Sequence, residues 1–299
     1  MVGQERDARV LCLVAGALAL GVLGFAWLRE SSLTVAVVGA VAVVLLVRTA
    51  TRSARRLSWG LIAAGTALWL SADAATRVLD PGHAASLSWP DVLYVAGQAV
   101  LAAGLLSLGG RSRRLGTTVD AAIMLAAGAA LTWYFLVVPL AERPGASLLL
   151  AALAGVVPAL SLGLVACAAR LVLASPPRDP VSVALLIAML GMLVADAAHG
   201  LERVAGSPRS GGDYLDVGWL VFYAALSVAA LHPGSITWSA SADGDAATER
   251  SWARVVPLGL AGAAPPLLIV AGAVQHADTL VMLPLAVIAL VMFALILVR

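Results

Sequence analysis

Lysine is missing from this sequence: all nineteen basic residues are arginine. That usage points to a GC-rich coding sequence and a bacterial source. Charge of either sign is scarce as well. Of 299 residues, 12% are charged and 61% are hydrophobic, whereas a soluble domain is typically about half apolar and about a quarter charged. No soluble fold of this length hides so much apolar surface, so the expected solvent is lipid. The net charge is only +2 and the arginines sit between hydrophobic runs, which excludes a basic face for nucleic acid. The two cysteines, Cys12 and Cys167, both lie inside apolar runs and exclude a disulfide framework. No HxxxH or CxxC spacing supports a metal site, and no cofactor is expected. Walker and GxSxG signatures are missing too, so the sequence carries no catalytic motif.

What is present is a series of long apolar runs. A helix needs roughly 20 apolar residues to cross a bilayer. Runs of that kind fall near 10–28, 32–48, 57–77, 90–109, 117–139, 147–170, 181–201, 214–232, 255–274 and 279–298. Lipid offers no partner to an open strand edge, so each run is predicted to be a helix. The fold class is therefore all-α: a polytopic transmembrane helical bundle of about ten helices. Glu5 and Asp7 precede the first run, which reads as an uncleaved helix and not a signal peptide.

With the N-terminus inside, fourteen arginines fall on the cytoplasmic side, with Arg48, Arg52, Arg55 and Arg56 in one loop, and five on the outer side. This bias predicts a bacterial plasma-membrane protein with both termini cytoplasmic. The stretch from His232 to Arg254 is rich in Ser, Ala, Asp and Gly and reads as a flexible inner linker. Five tryptophans, Trp59, Trp69, Trp89, Trp133 and Trp219, fall near predicted boundaries, where an interfacial belt is expected.

"LSADAATRVLD" (Leu70 to Asp80) and "LVADAAHGLER" (Leu193 to Arg203) place Ala-Asp-Ala-Ala near the end of two apolar runs. Each is followed by a polar loop with Gly and Ser, and then by a helix opening Asp-Val at Asp91-Val92 and Asp216-Val217. The offset is four helices, an even number, so both copies face the same way. The pattern predicts a parallel internal repeat of helices 3–6 and 7–10. It divides the chain into 1–56, two helices and an Arg-rich loop; 57–180, a first four-helix repeat; and 181–299, a second repeat with inner linker 233–254.

Asp91, Asp120 and Asp216 follow small polar residues at capping-box spacing, so an acid near a positive helix end explains them. Asp73 and Asp196 lie toward the negative helix ends, about one turn inside the apolar boundary, where a carboxylate is disfavoured. A charge at a helix centre costs about 2.5–3.5 kcal/mol on insertion scales. Arg77, four residues on, offers Asp73 a structural ion pair. The functional reading is an outward polar pocket of Asp73, Asp196 and His199 with Asp91 and Asp216 nearby, suited to a cation, an amine or a proton.

The order of these features resembles a known family. "WGLIAAGTALWLSADAA", "WPDVLYVAGQAVLAAGLLSL", "TTVDAAIMLAAGAALTWYFLVVPL", "LLIAMLGMLVADAAHG" and "DYLDVGWLVFYAALSVAALHP" follow one another. Together they resemble the N-terminal multi-pass membrane region of actinobacterial GGDEF and GGDEF–EAL signalling proteins, over about residues 57–299. In that family the region precedes cytoplasmic domains that make or break cyclic di-GMP. Where the family often has Tyr-Pro-x-x-Asp in the sixth helix, this chain reads Val157-Pro158-Ala159-Leu160-Ser161. "SGGDYL" (Ser210 to Leu215) contains Gly-Gly-Asp but lacks the acid and Phe that complete the cyclase signature. It also falls in a predicted outer loop, so cyclase activity is not expected of this chain.

The resemblance implies a sensory or input module of cyclic-di-GMP-type signalling that lacks an output domain. Its expected partners are the lipid bilayer, a small ligand, and a cytoplasmic effector or a second copy reached through the C-terminal helix. Two alternatives from other classes are a drug/metabolite-type secondary transporter for a small cationic or amine solute, and a membrane scaffold. A reporter active only outside the cytoplasm, fused after Arg299, is expected to stay dark; signal from it would overturn the even number of crossings.

Overall fold

The computed structural model describes residues 31–79, 89–109, 114–144, 147–174, 179–205, 216–237, 251–275 and 278–298. Among these there is no strand. The long helices are α1 (Ser31–Arg52), α2 (Arg56–Leu79), α3 (Trp89–Leu108) and α4 (Arg114–Thr132). After α4 a π-helical turn, Trp133–Val137, leads into a short α5 (Val138–Ala141). Then come α6 (Leu148–Ala174), α7 (Pro180–Ala205), α8 (Val217–Leu231), a single turn α9 (Gly234–Thr237), α10 (Ser251–Val274) and α11 (Thr279–Val298). The second to tenth predicted spans are thus helices, and the first, 10–28, lies outside the described residues.

Six of these helices are long and apolar enough to cross a membrane. The exterior is correspondingly apolar: only 17% of the α11 span is buried, and Leu283, Leu290 and Leu297 face outward. The architecture is that of a helical membrane bundle.

Six helices close into a ring in the order α1, α2, α3, α6, α7, α8, with α8 returning to α1. The ring has two halves with the same neighbours. In one, α2 packs on α1 and α3; in the other, α7 packs on α6 and α8. The seams are α3 against α6 and α8 against α1. Outside the ring α4 packs on α6, and α10 and α11 pack on α4 and on each other.

Close backbone approach fixes the tightest pairs. A Cβ added to Gly65 of α2 would stand 2.7 Å from the Gly97 carbonyl oxygen on α3, and one added to Gly97 would stand 2.9 Å from the Gly65 oxygen. The α7–α8 pair repeats this: 2.7 Å from Gly191 to the Gly218 oxygen, and 2.6 Å in the reverse sense. Lipid provides no hydrophobic drive between helices, so small residues that let backbones meet supply the packing.

Several local expectations are corrected. Trp59 (0% exposed) and Trp69 (3%) are core residues and not belt residues, because their side chains pack into the core that the ring helices share. The side chain of Trp89 lies outside the described residues. Helix α4 begins at Arg114, so Asp120 stands beyond the first turn and does not cap it. The start of the 233–254 stretch is folded: His232 ends α8 in an extended conformation, and α9 follows. Ser53 donates to the Ser235 carbonyl at 3.1 Å, Thr49 to the Ala230 carbonyl at 2.8 Å, and the Ala54 N–H to the Ile236 carbonyl at 3.3 Å. Residues 238–250 of that stretch lie outside the described residues.

Gly97→Val and Gly218→Val are each expected to lower stability by about 1–3 kcal/mol through overpacking. Reversible unfolding in detergent measures this. Gly259→Ala, where a Cβ meets nothing within 4 Å, is expected to leave the curve unchanged.

Candidate functional site

Asp196 is the centre of a polar cluster inside the ring. It stands on α7, whose start is fixed by Asp179: the Asp179 carboxylate accepts the Ser182 N–H at 2.9 Å, and Pro180 takes the first helical position. The helix runs on to Ala205, so Asp196 lies nine residues from its end, about 13 Å along the axis. The helix thus continues past the apolar boundary at Glu202, which lies six residues beyond Asp196.

At 5% exposure the Asp196 carboxylate is out of reach of solvent and takes its donors from three other helices. Ser161 of α6 donates a short hydrogen bond to Oδ2. Gln98 of α3 places Nε2 3.3 Å from the same oxygen, 2.7 Å from Ser161 Oγ and 3.2 Å from the Val157 carbonyl, so its two N–H groups are shared among three acceptors. Trp219 of α8 donates Nε1–H to Oδ1 at 3.3 Å. Ser161 and Gln98 are buried completely or nearly so, at 0% and 1% exposure. The remaining polar atom, Gln98 Oε1, is buried with no donor among the described residues.

A second layer leads from this centre toward the end of α7. His199 stacks on Trp219 with ring centroids 4.5 Å apart and planes 10° from parallel. Its Nε2 lies 3.4 Å from Asp216 Oδ1 and its Nδ1 3.7 Å from Glu202 Oε2. These are electrostatic contacts longer than a good hydrogen bond. Asp216 immediately precedes α8 but makes no side-chain cap bond. Its carboxylate faces His199; the capping-box reading also involves a cap three residues before it. Asp213, the partner in that reading, lies outside the described residues.

The structure therefore unites Asp196, His199 and Asp216, three of the five residues expected to line a pocket. Asp73 lies on α2, which occupies the place opposite α7 in the ring. Asp91 is in the first turn of α3. The side chain of Arg77 lies outside the described residues, so the Asp73–Arg77 pair does as well. Among the described residues no group of three or more His, Cys, Asp or Glu side chains could hold a metal ion. Cys167 is a free, buried thiol on α6.

Sequence reasoning missed Gln98 and gave Trp219 a belt role. The signal that could have found Ser161 was its place in the Val-Pro-Ala-Leu-Ser stretch, where the resembling family carries an acid. Comparison with known proteins adds nothing to the geometry: no family model, curated protein or solved structure matches the chain.

The cluster is a buried carboxyl group held by neutral donors. Removing the acceptor strands Ser161 Oγ–H and Trp219 Nε1–H, and an orphaned buried donor costs about 1–3 kcal/mol. Asp196→Leu is accordingly expected to lower stability by about that amount. Asp196→Asn keeps an acceptor and brings an N–H within the cluster that holds Gln98 Oε1, so its unfolding curve should match or exceed that of the parent. Loss of stability in Asp196→Asn equal to that in Asp196→Leu would show that the carboxylate charge itself holds the helices.

Proposed function

We propose that this chain is an integral-membrane input module for cyclic-di-GMP-type signalling, and that the Asp196 cluster is its sensing element. One observation carries the reading: a buried carboxylate gathers donors from α3, α6 and α8, so it spans both halves of the ring and one of its seams. An ionisable residue is costly among apolar helices and marks function by default. The resemblance of residues 57–299 to the membrane region of GGDEF proteins supplies the pathway. In this reading the chain lies in the bacterial plasma membrane with both termini in the cytoplasm, as the arginine bias favours.

The reading includes a duplication. The matching Gly65–Gly97 and Gly191–Gly218 crossings support a parallel repeat, whose units we take as helices 3–6 and 7–10 of the sequence.

Signal leaves the cluster through α6. That helix packs on α4 and its π turn, where the Val138 N–H reaches the Trp133 carbonyl. From the π turn Trp133 donates to the Leu280 carbonyl at 3.2 Å, and Tyr134 to Gln275 Oε1 at 3.0 Å. A change in the charge or hydration of Asp196 shifts α6 against α3. The shift reaches α11, whose end would drive a fused domain or a separate effector.

The test fuses a diguanylate cyclase domain after Arg299 and measures cyclic di-GMP for Asp196→Asn, Asp73→Asn and the double variant. At least a several-fold change in output is expected for Asp196→Asn. Unchanged output in all three variants would sink the sensing role. Saturable, gradient-driven flux of a small amine or cation into vesicles, abolished by Asp196→Asn, would replace the sensor with a transporter.

A further inference from the structure

The Asp196 cluster has one acceptor too many. Its donors are all committed: Ser161 Oγ–H and Trp219 Nε1–H go to the carboxyl oxygens, and the Gln98 N–H groups to Ser161 Oγ, the Val157 carbonyl and Asp196 Oδ2. Gln98 Oε1 is left over, on a side chain 1% exposed, with no donor among the described residues. A buried amide oxygen is costly to leave without a hydrogen bond, so this corner has a place for one more hydrogen.

A buried carboxylate suits a cation, an amine or a proton, and the geometry separates them. Gln98 Nε2 lies 2.7 Å from Ser161 Oγ and 3.3 Å from Asp196 Oδ2, and Ser161 is itself hydrogen-bonded to Oδ2. These are contact distances that leave no place for an atom between. The groups that meet the carboxyl arrive as donors, where a metal ion or an ammonium needs lone pairs, and the Trp219 indole has only an N–H to offer. A proton needs neither room nor a ring of lone pairs.

Among the described residues the helices packed on Asp196 bring neutral groups to it. Helix α3 presents Gln98; Tyr94 and Asp91 stand one and two turns earlier, and Tyr94 packs on Trp69. Helix α6 presents Ser161, with Cys167 and Arg170 six and nine residues further on. Helix α8 presents Trp219, and Asp216 before it faces His199. The π turn sets Leu136 toward Gly200 and turns Tyr134 to Gln275, and Arg143 past α5 holds the Val204 carbonyl. On α7 itself His199 turns its nitrogens to Asp216 and Glu202, and Arg203 is two turns away and exposed.

We infer that the ligand of the cluster is the proton, taken up by Asp196, whose new O–H supplies the donor that Gln98 Oε1 lacks. The step moves one H⁺ onto Oδ2 from water or from His199, the partly exposed imidazole three residues on. Gln98 then accepts from Asp196 where it now donates. Its amide turns to do so and gives up the Val157 carbonyl, a tie between α3 and α6. Proton uptake thereby alters the seam between the halves. The inference rests on the sensing reading only for what the proton signals.

Infrared difference spectra of the full chain in lipid vesicles, recorded as the pH falls from alkaline to mildly acidic, test it. A carboxylic C=O band is expected to grow in reversibly and to move when the aspartates are isotope-labelled. It should be lost in Asp196→Asn, shift in Gln98→Leu, which has no amide to accept, and stay in place in Asp120→Asn. Gln98→Leu with the labelled chain decides the matter if Asp196→Asn fails to accumulate. Absence of an aspartate band, or a band that Gln98→Leu leaves unmoved, would overturn the inference. So would a band that follows sodium or methylammonium at constant pH, which would give the site to a cation. The fused cyclase separates the two claims. A titrating Asp196 with output indifferent to pH keeps the proton and removes the sensor, while output changed by Asp196→Asn without an aspartate band does the reverse.

Discussion

A carboxylate held among apolar helices must draw its hydrogen bonds from the protein, because neither lipid nor packed apolar side chains supply any. Asp196 meets that demand with donors from three helices, and the demand explains why those helices converge. Ser161 and Gln98 are of little use to an apolar bundle on their own; each is buried because the carboxylate needs a donor. Trp219 is turned inward for the same reason, and its ring then gives His199 a flat surface to stack upon. The polar path from Asp196 to Glu202 is thus a consequence of one buried charge.

Backbone contact supplies what side-chain chemistry does not. The Gly65–Gly97 and Gly191–Gly218 approaches draw α2 onto α3 and α7 onto α8. Each half of the ring is a tight pair with a third helix laid alongside it. The cluster sits at the seam between halves, where packing relies on larger side chains and on hydrogen bonds. A polar group placed there couples the halves.

Hydropathy read along the chain placed the second to tenth spans correctly, because lipid imposes a length and a composition that packing does not alter. The oddity of Asp196 was legible too, since a lone acid in an apolar run has few structural excuses. Its partners were not. Gln98 and Ser161 are ordinary residues whose roles depend on which helices become neighbours, and spacing within one helix carries no such information. The tryptophans misled for a related reason. Trp59 and Trp69 were read from their position along the run, but α2 turns them into the ring, and position along a run does not specify the direction a side chain faces. Asp216 matched a capping pattern in sequence, and its contact with His199 is one that only the α7–α8 crossing brings about.

The two seams of the ring are fastened differently. At α8 and α1, Thr49 grips the Ala230 carbonyl, and just past α1 Ser53 grips that of Ser235; the latch is made of neutral hydroxyls that a change of charge leaves alone. At α3 and α6 the fastening is Gln98 on Ser161, and both answer to Asp196. A motion that releases the second seam and spares the first is a rotation about the α1–α8 line, as a book opens on its spine.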